Sequence, residues 1–320
     1  MSVRLSGAFT VLRRPWPLVV LAAALLLAGC TPRQPYVLSE RPEIPFGQGR
    51  IWQGEGDGSE TSYVFGTMHV DDKRVMDLPE VVETAFAGVE IAAFEVDMDP
   101  DAEEEAFDFE RIRLPGDETL EDLIGARSFG ILRWHLKRSM QQPKNNVKPW
   151  VFWEYMGGGN WGFVNYDDLE PSGHGMELAA WLQDRARKAG KEIVGLETEQ
   201  EHFDIYDKIP LDQQADLLKL TLDRYAARKP FVPKVQLYLD GDLASFEGLW
   251  REYLSWLPPD TAATVDARLI VDRNRIMVER MVPLMERGST FVAVGAAHMA
   301  GDAGVLSLLE RRGYTVTSLR

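Results

Sequence analysis

Short apolar runs that stop at a glycine or an acid alternate with stretches of helical spacing from "RIWQG" to "YTVTSL". This alternation is the strongest constraint on the fold. A strand that reaches a parallel neighbour needs a crossover, and a helix is the usual one. The runs "TSYVFG", "VEIAAFEVD", "KEIVGLE" and "TFVAVG" read as buried strands. "RIWQGEGDGSETSYVFG" reads as two strands joined by a turn, with Gly56, Asp57 and Gly58 suited to positive φ. Helical segments fall between them. "LPEVVETAFAG" has a proline near its start and a glycine at its end. In the acidic-then-basic region 100–147, Asp117 or Thr119 is placed to cap the helix that opens at "DETLEDLIG". An amphipathic helix ends at Gly190, and further helices are expected over 211–228, 235–256 and 265–286. The expected class is α/β in its mixed, α+β form: a central mostly parallel or mixed sheet flanked by helices, with a helical insertion.

The first 29 residues have a basic start, an apolar run from Pro15 to Gly29 and small residues at the end. The run is short for a bilayer span and reads as a signal peptide. The ending Leu27-Ala28-Gly29-Cys30 resembles a bacterial lipobox. That resemblance implies cleavage before Cys30 and lipidation of its thiol. Thr31 after it, not an aspartate, implies retention in the outer membrane. The expected location is therefore the bacterial cell envelope, lipid-anchored and facing the periplasm. Cys30 is the only cysteine, so no intramolecular disulfide forms. The proline-rich residues 30–49 read as a tether and residues 50–320 as a single domain.

With 45% hydrophobic residues the chain can build a large core. Its net charge of −15 repels phosphate backbones and argues against nucleic-acid partners. The expected partner is a peptide or small-molecule substrate, with membrane contact only through the lipid.

Two strands end alike. "YVFGTMH" and "AVGAAH" each run into Gly-x-x-His, which places His69 and His298 just past strand ends. One such motif carries almost no information; two in the same context do. Two more strand ends carry acids: Glu95, with Asp97 on the same face, and Glu197. Ligands of open α/β sheets bind outside the carboxyl ends of the strands. Two imidazoles with one or two carboxylates are a candidate site for a divalent metal such as Mn, Co or Zn. Such an ion would lower the pKa of a bound water, and a carboxylate off the metal would act as general base. A metal-free His-Glu pair that activates water directly is also open. Arg273 and Asn274 lie on an expected helix before the last apolar strand, where they could orient a carboxylate. "PWVFWEYMGGGNWGF" reads either as a core helix or as an aromatic flap over the site. Glu199 and His202 form one Glu-x-x-His, where a di-metal bundle needs two.

The stretches "SYVFGTMHV", "FEVDMD", "KPW", "GMELAAWLQDRARKAGKEIVGLETEQEH", "DRNRIM" and "TFVAVGAAHMAGDAGVLSLLERRGYTV" together resemble the TraB/GumN/Tiki family. The resemblance implies a mixed α/β fold related to the erythromycin-esterase and ChaN-like folds. Animal Tiki members are regarded as metal-dependent proteases that use the paired histidines and acids. Carried over, His69, His298 and Glu95 would hold the metal, with Glu95, Glu197, Arg273 and Asn274 as catalytic residues. The expected function is a lipid-anchored, metal-dependent and peptidase-like hydrolase. The alternative is a non-catalytic lipoprotein that holds a metal, haem or other ligand in the same crevice, lined by Trp150, Trp153 and Trp161. A metal-free esterase is a third reading.

Overall fold

The computed structural model describes residue 38 and residues 40–98, 109–138, 144–157, 169–227 and 233–319. The leader, Cys30, most of the tether and Trp161 lie outside the described residues. No helix among the described residues is long and apolar enough to cross a membrane.

Six strands form one mixed sheet: β1 (Ile51–Glu55), β2 (Ser62–Thr67), β3 (Ile91–Val96), β4 (Glu192–Glu197), β5 (Thr290–Gly295) and β6 (Thr315–Leu319). Their order across the sheet is β4-β3-β5-β2-β1-β6. β1 and β2 are an antiparallel hairpin with Ile51 opposite Phe65. Of the three turn residues only Gly58 takes positive φ, at 72°; Gly56 is kept small because a Cβ there would lie 2.9 Å from the Tyr314 ring. β2, β5, β3 and β4 all run parallel. β1 opposes its neighbours and leaves β6 on an edge. Every residue of β5 is buried, as expected for a strand covered on both faces. β6 alternates toward solvent, which suits an edge.

β5 comes from the end of the chain yet sits between β2 and β3. Thr67 pairs with Gly295, and Gly66 with Val294. The two Gly-x-x-His motifs are thus side by side, offset by one residue. The ends of β3 and β4 lie at the same sheet edge, with Val96 paired to Glu197.

The chain has two apolar clusters. One lines the sheet and holds Phe65, Phe94, Phe291 and Trp52; Phe291 meets Phe86 edge-on at 5.2 Å. The other is mostly helical and holds Leu132, Trp153, Leu218, Leu222 and Tyr253. It belongs to the expected insertion. The helix over 211–228 forms as Leu211–Ala226. The segment 235–256 is two helices, Lys234–Leu239 and Leu243–Ser255. Gly241 breaks it with φ 67°, and Asp242 caps the second helix through Ser245 N at 3.2 Å. The segment 265–286 is likewise interrupted: Pro259–Asp266 passes through a π turn, Ala267–Val271, into Asp272–Arg287. Helical spacing persists across both joints, so periodicity alone joins what backbone conformation separates. Helix Leu120–Arg138 kinks at Gly125, and Thr119 caps its start through Asp122 N at 3.2 Å.

The candidate active site

The site lies at the carboxyl ends of β2, β3, β4 and β5. It opens as a cleft of about 380 Å³ lined by Met68, His69, Glu95, Arg273, Gly295 and His298 among others. The structure brings together His69, Glu95, Glu197, Arg273, Asn274 and His298, but not in equal roles.

Arg273 is the hub. It stands in the first turn of helix Asp272–Arg287, directly after the π turn, and is buried. A π turn widens a helix by one residue and re-aims the side chains beside it. Nε donates to Glu197 Oε1 at 2.8 Å, and Nη2 donates to Glu197 Oε2 at 2.8 Å. Nη2 also donates to Glu95 Oε2 at 2.5 Å. Nη1 donates to His298 Nε2 at 3.1 Å and to the Leu269 carbonyl at 3.4 Å. The other Glu95 oxygen accepts the Gly295 N–H at 2.6 Å. Burial acts to raise the Glu95 carboxyl, but Arg273, the two histidines and the Gly295 N–H hold it far below the usual carboxylate range. Glu197 is lowered too: burial opposes the shift and Arg273 drives it.

The tautomer of His298 follows from these partners. A guanidinium has no acceptor, so His298 Nε2 must accept and Nδ1 must carry the proton. Nδ1 donates to Asn274 Oδ1 at 2.6 Å, and Asn274 Nδ2 donates to the Ala303 carbonyl at 2.8 Å. Burial and the Arg273 charge push His298 down to about 4, so the ring is neutral at physiological pH. Asn274 and Glu197 stand behind the cleft wall and act on Arg273 and His298.

His69 is different. Its side chain is 52% exposed at the cleft mouth, and Nδ1 lies 2.9 Å from Glu177 Oε2. A carboxylate can only accept here, so Nδ1 donates and Nε2 turns to the cleft. Partial loss of water acts to lower this imidazole, but Glu177 and then Glu95 raise it to about 9. A methyl group placed on Gly295 would lie 3.1 Å from Glu95 Oε1, 3.5 Å from His69 Nε2 and 3.6 Å from His298 Cδ2. The three side chains close around the one point in the site that only a glycine leaves open.

Glu177 is a residue of the site that the sequence did not single out. It sits at the N-cap position of helix Leu178–Lys188. An acid there reads as a partner of the helix dipole, which hides any other role. Its loop is delivered to the site by the residues that follow His69. Asp72 accepts the Glu170 N–H at 3.0 Å, Asp71 accepts both the N–H and the hydroxyl of Ser172, and Lys73 N donates to the Glu170 carbonyl at 2.7 Å. Lys234 also lines the cleft; burial pushes its ammonium down to about 7. His202 lines it too, with Nδ1 3.5 Å from Glu197 Oε2. Trp150 and Trp153 turn away from the cleft. Trp153 is fully buried and donates to Tyr253 Oη at 3.2 Å, and Trp150 donates to Asp207 at 3.1 Å. They form part of the helical core instead of an open aromatic groove.

A divalent metal on His69, His298 and Glu95 does not fit the donors as they stand. His298 has no lone pair left, and among the described residues no group of three His, Cys, Asp or Glu side chains is placed so that it could hold an ion.

The strand-end histidines, the acid strands and the last α/β unit all fall within residues 51–318, which match the model of the TraB/PrgY/gumN family. The chain belongs to the TraB/PrgY/gumN family. Curated relatives are distant. Metalloprotease TIKI2 of Danio rerio is 26% identical over 307 residues, covering 80% of this chain and 58% of its own length. Metalloprotease TIKI1 of Xenopus tropicalis is 27% identical over 303 residues, and that of Homo sapiens 25% identical over 303; each match covers 80% of this chain and 59% of the relative. The match thus spans less than two thirds of these relatives. No solved structure matches. Within this TraB/PrgY/gumN member, both Gly-x-x-His motifs, Glu95, Glu197 and the Arg273-Asn274 pair meet at one sheet edge.

Proposed function

We propose that this chain is a hydrolase that cleaves peptide-like substrates in the cleft above Gly295, with His69 as the group that moves the proton. One observation supports this reading above the others: Nδ1 of His69 is held by Glu177 while Nε2 faces the cleft beside Glu95. That is the arrangement of an oriented general base. Neutral His69 takes a proton from water at Nε2 as the water oxygen attacks the substrate carbonyl carbon. Glu177 and the fixed anion of Glu95 stabilise the imidazolium. The proton then passes to the departing amine nitrogen as its bond to carbon breaks. The names of the curated relatives favour a metal-assisted version of the same hydrolysis. In this chain, His69 Nε2 and Glu95 Oε1 are the donors nearest to that role.

A peptide-library cleavage screen, with and without added Mn²⁺, Co²⁺ or Zn²⁺, tests the reading. Wild type should cleave, and His69→Ala should lose about 10²–10⁴-fold. No turnover by wild type under any of these conditions would replace the hydrolase with a binding protein. The leader supports attachment to a bacterial envelope membrane through Cys30, facing the periplasm. Mass spectrometry of the N-terminal peptide should find the acyl mass on Cys30; an unmodified thiol would remove the anchor.

A further inference from the structure

We infer that Arg273 is the resident cation of this site. Its guanidinium fills the place between Glu95, Glu197 and His298 that a divalent ion would need, so the two Gly-x-x-His histidines do different work. Both rings line the cleft, but His298 positions Arg273 with both its nitrogens, and of the two only His69 turns a nitrogen, Nε2, toward the cleft.

The argument is a donor count. A guanidinium has five N–H groups. All five are used: one from Nε to Glu197, two from Nη2 to Glu197 and Glu95, and two from Nη1 to His298 and the Leu269 carbonyl. The ring nitrogens of His298 are both committed as well, to Arg273 and to Asn274. A metal ligand must present a lone pair, and His298 presents none. An ion could recruit His298 only by displacing the Nη1 end of a rigid guanidinium whose Nε and Nη2 are bonded to two carboxylates. The arginine is buried and rooted at the start of a helix, so taking its charge away from these partners would leave it poorly compensated. Of the expected set His69, His298 and Glu95, only His69 Nε2 and Glu95 Oε1 are left, short of the three protein donors that catalytic metals commonly take.

The inference concerns the same cleft as the hydrolase reading, but its test reads metal binding and not turnover, so each can fail alone. Mn²⁺, Co²⁺ and Zn²⁺ are titrated separately into the purified chain by calorimetry, with the visible absorption of Co²⁺ as a second readout. Wild type and His298→Ala should bind each ion with the same affinity and stoichiometry. A tenfold or greater loss in His298→Ala would overturn the inference. Arg273→Gln frees Glu95, Glu197 and His298 Nε2 and should gain a site at least tenfold tighter than any in wild type. Adding His298→Ala to that variant should remove it. A folded Arg273→Gln protein that gains no site would also count against the inference. If that variant fails to fold, nitrogen NMR of His298 in wild type decides: Nδ1 should stay protonated, and Nε2 unshifted, at saturating metal.

Discussion

Two histidines that look interchangeable in the sequence have opposite electrostatics. His69 is raised to about 9: partial burial opposes its charge, but Glu177 and Glu95 outweigh that, while Arg273 pulls the other way. A base works in its neutral form, so activity should rise with pH through about 9. Glu177→Gln removes the main raising partner and leaves burial, which lowers. The rising limb should therefore move to more acid pH, and a pH–rate profile reads this directly. An unmoved limb would show that Glu177 does not act on the base. His298, at about 4, is neutral throughout this range and should leave no inflection of its own. A further residue prediction concerns Thr67, whose hydroxyl is buried at the cleft wall without a protein hydrogen-bond partner. An unpaired buried hydroxyl is a cost, so Thr67→Val should hold or raise stability by about 1 kcal/mol. A large loss of rate at full stability would give Thr67 a direct part in catalysis.

At the level of elements, the site depends on strand ends and on one loop that they hold. Gly295 closes β5 where Glu95 and both histidines converge. Gly295→Ala would press its methyl against Glu95 Oε1 at 3.1 Å, and that carboxylate is tied at both oxygens. Activity should fall more than stability does, which turnover and thermal melts compare. The loop that brings Glu177 depends on Asp72. This carboxylate is buried and bonded by Arg74 and by the Glu170 and Arg74 backbone N–H groups. Burial acts to raise it, but those partners lower it from 3.8 to about 2. Its contribution is therefore full above 3.8 and is lost as pH falls through about 2. Asp72→Asn should cost about 1.5–3 kcal/mol at neutral pH. The variant's deficit should shrink on acidification, as read by denaturant melts at several pH values.

For the whole molecule, the two apolar clusters meet in one compact body after the tether. The residue Leu237 packs against both of them. Truncation of Leu218, fully buried in the helical cluster, should cost about 2–5 kcal/mol. Both clusters should still unfold in a single transition in denaturant. Two separated transitions would show that the helical insertion is an independent unit.

Much of this was legible from the residues alone. Strand identity, the class of the fold, the helix stops at Gly88 and Gly190, and the pairing of His69 with His298 follow from local apolar runs and turn chemistry, which act over a few residues. The candidates Glu95, Glu197, Arg273 and Asn274 were visible as polar groups at element ends. What the sequence could not decide was order and direction. β5 inserts between β2 and β3 because its fully apolar run needs cover on both faces, and only the assembled sheet offers that seat. The same assembly lets Arg273 reach two carboxylates and one imidazole from distant parts of the chain, and brings Glu177 to His69. The sequence by itself determined which polar groups stand at the ends of strands and helices. The tertiary structure decided which of them bind one another and which one is left facing the cleft, because hydrogen-bond partners are chosen by distance in space.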